Sequence, residues 1–155
     1  MSMPDFPAAA ARLQSDILQH IPLARAMDLA ITRYTGTELD MTAPLAPNIN
    51  DKGCAFGGSM ASLLTLAGWG LIELFLRGEQ LDCDLYVADS QLRYSEPVWG
   101  ELRGVARLAE ADALQDLATR VRERGKGHAD VVCEIAGDGR PAATLTARFF
   151  AKRRA

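Results

Sequence analysis

The spacing of apolar residues along this chain changes several times between a helical period and the alternation typical of strands. Apolar positions from Phe6 to Ile17 recur at helical intervals, which predicts a first helix over residues 6–20. Residues 27–42 favour extended structure around a bend at Gly36, either as one long strand or as a pair of strands. The chain therefore begins with a helix followed by one or two strands.

The second half of the chain alternates mostly at the strand period. Trp99 and Gly100 predict a tight turn between two of its strands. The predicted elements are, in order, a long strand over 85–98, a strand over 101–109, a short helix over 111–124 and a hairpin made of 129–136 and 142–152.

Residues 57–76 lie between these two halves and are apolar on nearly every side of a helix. A run of about 20 apolar residues is long enough to span a bilayer. This run contains Glu73, several hydroxyl residues and four glycines, which favours the core of a soluble protein and no membrane contact. Strands joined by short turns are largely antiparallel, and such a sheet can bury an apolar helix by curling around it. The pattern predicts an α+β fold with about five strands around a long central helix.

Composition narrows the classes of protein further. A length of 155 residues, with 48% hydrophobic and 24% charged residues, predicts a single globular domain spanning 1–155. The 17 basic and 20 acidic residues are scattered, so we expect no nucleic-acid partner. The three cysteines have neither metal-ligand nor disulfide spacing, and the N-terminus lacks the pattern of a signal peptide. We therefore expect a cytoplasmic protein without a metal ion.

The segment 50–59 is the most informative part of the chain because it joins a polar loop to the central helix. Gly57 and Gly58 leave peptide N–H groups unshielded at the positive end of the helix dipole. This geometry suits an anion or a developing oxyanion. Asn50 adds a neutral side chain that can donate and accept hydrogen bonds, although asparagine also favours such loops for structural reasons.

The same segment follows the pattern Asn-x-x-Gly-x-x-x-Gly-Gly, which begins at Asn50 and leads into a long helix rich in small residues. This arrangement resembles the hot-dog-fold acyl-CoA thioesterases. The stretch 53–59, together with 66–70 on the helix, is more similar to the thioesterase branch of the YiiD C-terminal type, which occurs in some bacteria as half of an acetyltransferase fusion. The resemblance implies a hot-dog fold.

The resemblance also implies a function. We expect hydrolysis of an acyl-CoA or acyl-carrier thioester, without a cofactor, by a homo-oligomer (a dimer or a dimer of dimers) with sites between its subunits. The alternative is a hot-dog protein that binds acyl-CoA or lipid without hydrolysing it. This alternative stays open because two positions depart from the family pattern. Phe56 stands where many relatives carry His, and Thr65 stands where many carry an acidic residue.

The candidate site residues follow from the loop and the resemblance together. Asn50 and the amides of Gly57 and Gly58 form the predicted electrophilic side of the site. Asp51 or Thr65 is expected to order the attacking water. The predicted substrate contacts are Gly53, Phe56, Ser59 and, from a second subunit, Asp89. We do not expect His20 or His128 to take part in the chemistry, because both lie outside the motif. Cys54 has no neighbouring histidine to activate it, so we expect a packed thiol and no nucleophile there.

Overall fold

The structure is a computed structural model that describes residues 4–155, so residues 1–3 of the predicted domain lie outside the described part. The helices are α1 (Phe6–His20), α2 (Pro22–Met27), α3 (Gly57–Gly78) and α4 (Ala113–Arg124), with one 3₁₀ turn at Ala46–Asn48. The strands are β1 (Ala30–Tyr34), β2 (Glu38–Ala43), β3 (Cys83–Tyr94), β4 (Leu102–Leu108), β5 (Lys126–Ile135) and β6 (Ala143–Arg153).

The first helix confirms the bounds that the apolar spacing predicts. Its N-terminus is capped by the Asp5 carboxylate, which accepts a hydrogen bond from the N–H of Ala8 at 3.0 Å. Sequence reasoning missed α2, because it took Pro22 only as the end of the first helix. Proline is also well suited to the first position of a helix, where no N–H partner is needed. Pro22 holds that position in α2.

The sheet contains six antiparallel strands in the order β1-β2-β4-β5-β6-β3. The predicted number was about five, and the difference lies in residues 27–42. Gly36 has a φ of +94°, which turns the chain back on itself and divides that segment into the pair β1 and β2.

The prediction of a tight turn at Trp99 and Gly100, joining β3 directly to β4, is wrong. Strand β3 pairs only with β6 and forms one edge of the sheet, whereas β4 lies between β2 and β5. The connecting segment, residues 95–101, crosses to the other side of the fold and is held by backbone hydrogen bonds. Ser95 donates to the carbonyl of Ala142 at 2.7 Å, and the carbonyl of Val98 accepts from Ala55 at 2.8 Å. The second bond attaches this connection to the glycine-rich loop.

Helix α3 lies inside the curl of the sheet, and ten of its 22 residues are buried. Its length and apolar composition would suffice to cross a membrane, but 56% of its most apolar window is buried within this fold. A Cβ atom on Gly68 would lie 2.9 Å from Val131 Cγ2 and 3.1 Å from both Cys133 Sγ and Phe149 Cε2. The helix therefore approaches β5 and β6 as closely as a residue without a side chain permits. The predicted α+β arrangement, a curled sheet around a central helix, is confirmed.

We predict that Gly68→Ala destabilises the protein, whereas Gly70→Ala does not. A Cβ on Gly70 meets only ordinary contacts of 3.5 Å or more, from Leu13 and Leu39. The Gly68 variant should lose about 1–3 kcal/mol of unfolding free energy through overpacking. The Gly70 variant should gain up to about 1 kcal/mol from the better helix propensity of alanine. Urea unfolding of both variants measures the difference, and equal stabilities would contradict the proposed close packing.

Candidate active site at the start of helix α3

The loop before α3 is a closed turn held by its own backbone. Ile49 and Ala55 form a β-bridge, and the N–H of Gly53 donates to the carbonyl of Asn50 at 3.3 Å. Gly53 has a φ of +91°, a conformation that residues with side chains rarely adopt. At the end of the loop, the N–H of Phe56 donates to the carbonyl of Asn48 at 2.7 Å. The sequence therefore folds back on itself and delivers Gly57 to the helix start.

The first turn of α3 has peptide groups without protein partners. The N–H groups of Gly57, Gly58 and Ser59 have no hydrogen-bond acceptor within residues 4–155. The N-cap residue is Phe56, whose side chain cannot accept a hydrogen bond, so no capping interaction forms. Gly58 is exposed, while Gly57 and Ser59 are half-buried. This is the arrangement that sequence reasoning predicted for the glycine pair.

Three exposed aromatic residues surround these peptide groups. The Phe56 ring lies over Gly58, where a Cβ atom would be only 2.4 Å from ring atom Cε2. The Tyr94 ring lies against Gly57, and Trp99 lies beside Gly53. Phe56, Tyr94 and Trp99 are each more than half exposed, which is unusual for large apolar side chains. An apolar ligand group could therefore contact this rim while its polar end reached the helix start.

The carboxamide of Asn50 is largely engaged within its own loop. Its oxygen accepts hydrogen bonds from the N–H groups of Lys52 at 2.8 Å and Cys54 at 3.2 Å. Its nitrogen lies 3.2 Å from Cys54 Sγ. Both acceptor sites of the oxygen are thus occupied, and one N–H of the amide stays available as a donor. The geometry limits Asn50 to donating a hydrogen bond to a ligand.

Asp51 lies on the outside of the loop. Its side chain is 82% exposed and pairs with Lys52 at 3.1 Å. The hydrogen bond from the Lys52 ammonium lowers the pKa of the Asp51 carboxyl below its ordinary value. A lower pKa makes this carboxylate a weaker base, which reduces its value for removing a proton from water.

Thr65 lies two turns into α3, on the same helix face as Gly58. Seven residues at 100° each bring the two positions back to one face, about 10 Å apart along the axis. The Thr65 hydroxyl is half-buried and donates to the carbonyl of Ala61 at 2.8 Å. Its proton is therefore occupied, and its oxygen can only accept a hydrogen bond, for example from a water molecule.

Asp89 lies on the outer face of the sheet, away from α3. It pairs across the ladder with Arg148, whose guanidinium binds the Asp130 carboxylate at 2.8 and 3.1 Å. These three residues line a shallow depression of about 690 Å³. Within one chain the structure does not bring Asp89 together with the loop residues. Its predicted substrate contact, which was proposed from a second subunit, stays a prediction.

Two hydrogen bonds connect α3 to the edge strand β3. The Tyr94 hydroxyl donates to the carbonyl of Gly57 at 2.8 Å, and the Trp69 indole N–H donates to the carbonyl of Leu85 at 3.1 Å. Several partly or fully exposed residues lie between these two connections, on α3 and on the helix-facing side of β3: Ser62, Thr65, Val87, Ser90 and Leu92. We call these five residues the α3–β3 surface. It adjoins the aromatic rim and the free peptide groups.

Sequence reasoning missed three residues that shape this region. Asn48 is 2% exposed and anchors the loop, since its side-chain nitrogen donates to the carbonyls of Met27 at 3.0 Å and Pro44 at 2.7 Å. Its side-chain oxygen is buried without a donor among the described residues. Tyr94 is the last residue of β3, and Trp99 lies on the connection that follows it, whose path was wrongly predicted. An exposed aromatic pair around a proline was the one signal that could have indicated them.

The cysteines do not provide a nucleophile in this arrangement. Cys133 is fully buried beneath α3, and burial raises the pKa of its thiol to about 12. Burial also raises the pKa of Cys83. Cys54, although in the loop, is 6% exposed and contacts the Asn50 amide. A reactive thiolate needs exposure, and Cys54, Cys83 and Cys133 are all buried.

Comparison with known proteins decides the family. The profile of a family described as "Putative thioesterase (yiiD_Cterm)" matches residues 10–153, nearly the whole chain. The chain belongs to this thioesterase family. The resemblance seen in the glycine-rich segment is thus confirmed.

Solved structures confirm the hot-dog fold of this family member. A protein of unknown function from Chlorobaculum tepidum is 27% identical, with 94% of each chain covered and a TM-score of 0.89. A "putative thioesterase" from Shewanella oneidensis is 29% identical, with 95% of this chain and 99% of that chain covered and a TM-score of 0.83. A "probable thioesterase" from Pseudomonas aeruginosa is 22% identical over 99% of each chain, with a TM-score of 0.74, and shares the fold.

Proposed function

We propose that this protein hydrolyses acyl-CoA thioesters, with the free peptide groups at the start of α3 as the oxyanion site. The observation that carries the proposal is that the N–H groups of Gly57, Gly58 and Ser59 have no acceptor within residues 4–155. They lie at the positive end of a 22-residue helix. One well-aimed donor of this kind lowers the barrier to acyl transfer by about 3 kcal/mol.

In the proposed reaction, the N–H groups at the start of α3 stabilise the negative charge that forms on the carbonyl oxygen. The oxygen of a water molecule forms a bond to the thioester carbonyl carbon, and the carbonyl electron pair moves onto the oxygen held by the Gly57 and Gly58 amides. The carbonyl then re-forms as the carbon–sulfur bond breaks. The thiolate leaves and takes up, through solvent, the proton that the water lost. The products are a free carboxylic acid and coenzyme A thiol.

Asn50 contributes a donor to the same carbonyl oxygen. Its amide oxygen is occupied by two loop N–H groups, so it cannot accept a proton or hold water through that atom. Three contacts within the loop hold the carboxamide in place, and in this proposal its remaining N–H points at the substrate. Gly53 supports this role by allowing the turn, while Phe56 and Ser59 contact the bound acyl group.

Thr65 is the better supported of the two candidates for ordering the water. Its hydroxyl donates to the carbonyl of Ala61, so the oxygen accepts a hydrogen bond from the water and orients its lone pair. Asp51 is exposed and paired with Lys52, which favours a role on the surface. In this proposal the proton passes to solvent.

We further propose that the protein works as a homodimer whose copies meet along β3. This strand is a 12-residue sheet edge on which Tyr86, Val87 and their neighbours up to Gln91 are exposed. A long, uncovered edge of this kind readily pairs with another chain. A second copy there would also cover the α3–β3 surface and place residues from the helix-facing side of its own β3 near the site. Three free and buried cysteines suit a reducing cytoplasm.

The alternative function is binding of acyl-CoA or a lipid without hydrolysis. One observation favours it: Thr65 occupies the helix position where a carboxylate would act as a base, and a hydroxyl that donates to its own helix cannot remove a proton. Catalysis and binding predict different results with the same substrates.

We expect the purified protein to release free thiol from at least one member of a panel of short, medium, long and aromatic acyl-CoAs. The expected products are the free acid and coenzyme A in equal amounts. A thiol-reactive dye measures the rate, and calorimetry with the same compounds measures binding. Binding without turnover above background would reject the hydrolase and support the alternative.

Two substitutions at Asn50 separate its loop role from its donor role. Asn50→Asp keeps an oxygen for the N–H groups of Lys52 and Cys54 but removes the donor and adds a negative charge. We expect kcat to fall at least tenfold in this variant, which corresponds to about 1.4 kcal/mol. Asn50→Ala should lower kcat at least tenfold and also destabilise the loop by about 1–2 kcal/mol. A wild-type rate in Asn50→Asp would remove this residue from the site.

A matched pair of variants compares Thr65 with Asp51. Thr65→Val keeps the shape but removes the hydroxyl, so kcat should fall about tenfold. Asp51→Asn removes the charge and should change kcat by less than about threefold, as expected for a surface residue that takes no part in the reaction. Because the hydrogen bond from Lys52 lowers the Asp51 pKa below its ordinary value, this carboxyl is ionised near neutral pH and should add no inflection to the pH–rate profile there. The reverse order of the two effects would transfer the role to Asp51.

The proposed dimer has its own test. Sedimentation at micromolar concentration should show a dimer or a larger assembly. Val87→Lys places a charge at the exposed edge of β3 and should shift the protein towards monomer. Thr146→Lys places the same charge on the outer face of β6 and serves as the control. A monomeric wild-type protein would contradict the proposal.

A further inference from the structure

Tyr94 is not among the predicted site residues, but its side chain contacts the first residue of α3 directly. Its hydroxyl donates to the carbonyl oxygen of Gly57 at 2.8 Å, across a sequence separation of 37 residues. Its ring also lies against Gly57, where a Cβ atom would be 3.4–3.5 Å from ring and hydroxyl atoms. Tyr94 is the last residue of β3, so this contact connects the edge strand to the first residue of α3.

The carbonyl of Gly57 and the N–H of Gly58 belong to one peptide plane. None of the peptide bonds within residues 4–155 is cis, and in a trans peptide the C=O and N–H bonds point in opposite directions. A hydrogen bond that fixes the carbonyl of Gly57 therefore fixes the direction of the Gly58 N–H. It also polarises the peptide group, which strengthens that N–H as a donor.

Within α3 the carbonyl of Gly57 accepts the helix's own hydrogen bond from the N–H of Ala61, and the Tyr94 hydroxyl adds a second donor to the same oxygen. Two consecutive glycines have wide conformational freedom, and Phe56 provides no side-chain cap. Among the described side chains, Tyr94 alone hydrogen-bonds to the Gly57 peptide carbonyl; Ser62 binds the next one, on Gly58. The direction of the Gly58 N–H is thus restrained by a residue of a different element in addition to the helix itself.

We infer that Tyr94 is a positioning residue that holds the Gly57–Gly58 peptide so that the Gly58 N–H points at the thioester oxygen. The inference rests on the proposed thioester hydrolysis and adds a residue to it. A positioned donor acts on the oxyanion more strongly than on the ground-state carbonyl. Loss of the Tyr94 hydroxyl should therefore lower kcat and leave substrate binding nearly unchanged.

The test compares Tyr94→Phe with Tyr34→Phe. Tyr94→Phe keeps the ring against Gly57 and removes only the hydroxyl. Tyr34 lies on β1 at the opposite edge of the sheet, packs against Phe6, and makes no side-chain hydrogen bond within residues 4–155. For the acyl-CoA that the wild type hydrolyses fastest, we expect Tyr94→Phe to lower kcat about tenfold with KM within about twofold. Tyr34→Phe should leave both unchanged.

A second measurement reports the peptide itself, independently of turnover. In ¹⁵N-labelled protein the Gly58 amide resonance should shift in Tyr94→Phe, while the resonance of the Gly70 amide, inside the same helix, stays unchanged. An unmoved Gly58 amide, or a wild-type kcat in Tyr94→Phe, would overturn the inference. If the wild-type protein hydrolyses no thioester, the proposed function fails, and the Gly58 amide alone decides whether Tyr94 holds the peptide.

Discussion

Burial of α3 is the constraint from which the rest of the structure follows. The helix is apolar around most of its circumference, so it is stable in water only when other elements cover it. Five strands of the sheet contact it, and Gly68 lets it approach β5 and β6 closely. Once the helix is fixed in this way, the position of its N-terminus relative to the loop and to β3 is fixed as well.

The start of this helix departs from the rules that stabilise helix ends. A good N-cap residue has a side-chain oxygen, and two glycines in the first turn weaken a helix. This helix has Phe56 at the cap and Gly57–Gly58 directly after it, at a cost in stability. Departures of this kind are expected at functional sites, because groups left free for a ligand cannot also stabilise the fold. The stability lost here is offset by the burial of the rest of the helix.

The spacing of apolar residues was sufficient to predict the helices and strands that bury one side and expose the other. Helix α1 and the hairpin of β5 and β6 follow directly from apolar spacing, because their burial is one-sided. The place of β3 at the sheet edge could not be predicted, since exposed residues on both faces give no clear alternation. The short helix α2 was hidden by Pro22, which ends one helix and begins the next.

The candidate site shows the same division between local and long-range information. The free amides of Gly57 and Gly58 were predictable, because they depend on residues adjacent in the sequence. The roles open to Asn50 were not, because the structure alone shows that its oxygen is occupied by Lys52 and Cys54. The aromatic pair around Pro97 could have marked Tyr94 as a candidate, but its contact with Gly57 depends on the path of β3 and could not be predicted from the sequence.

The central claim is that the amides at the start of α3 receive the negative charge of the reaction. A titration of ¹⁵N-labelled protein with a non-hydrolysable acyl-CoA analogue whose carbonyl is replaced by an anionic or strongly polar oxygen tests it most directly. The account predicts that the Gly57 and Gly58 amide resonances move downfield at saturation, by more than those of glycines elsewhere in the fold. Saturable binding with these two resonances unchanged would contradict it.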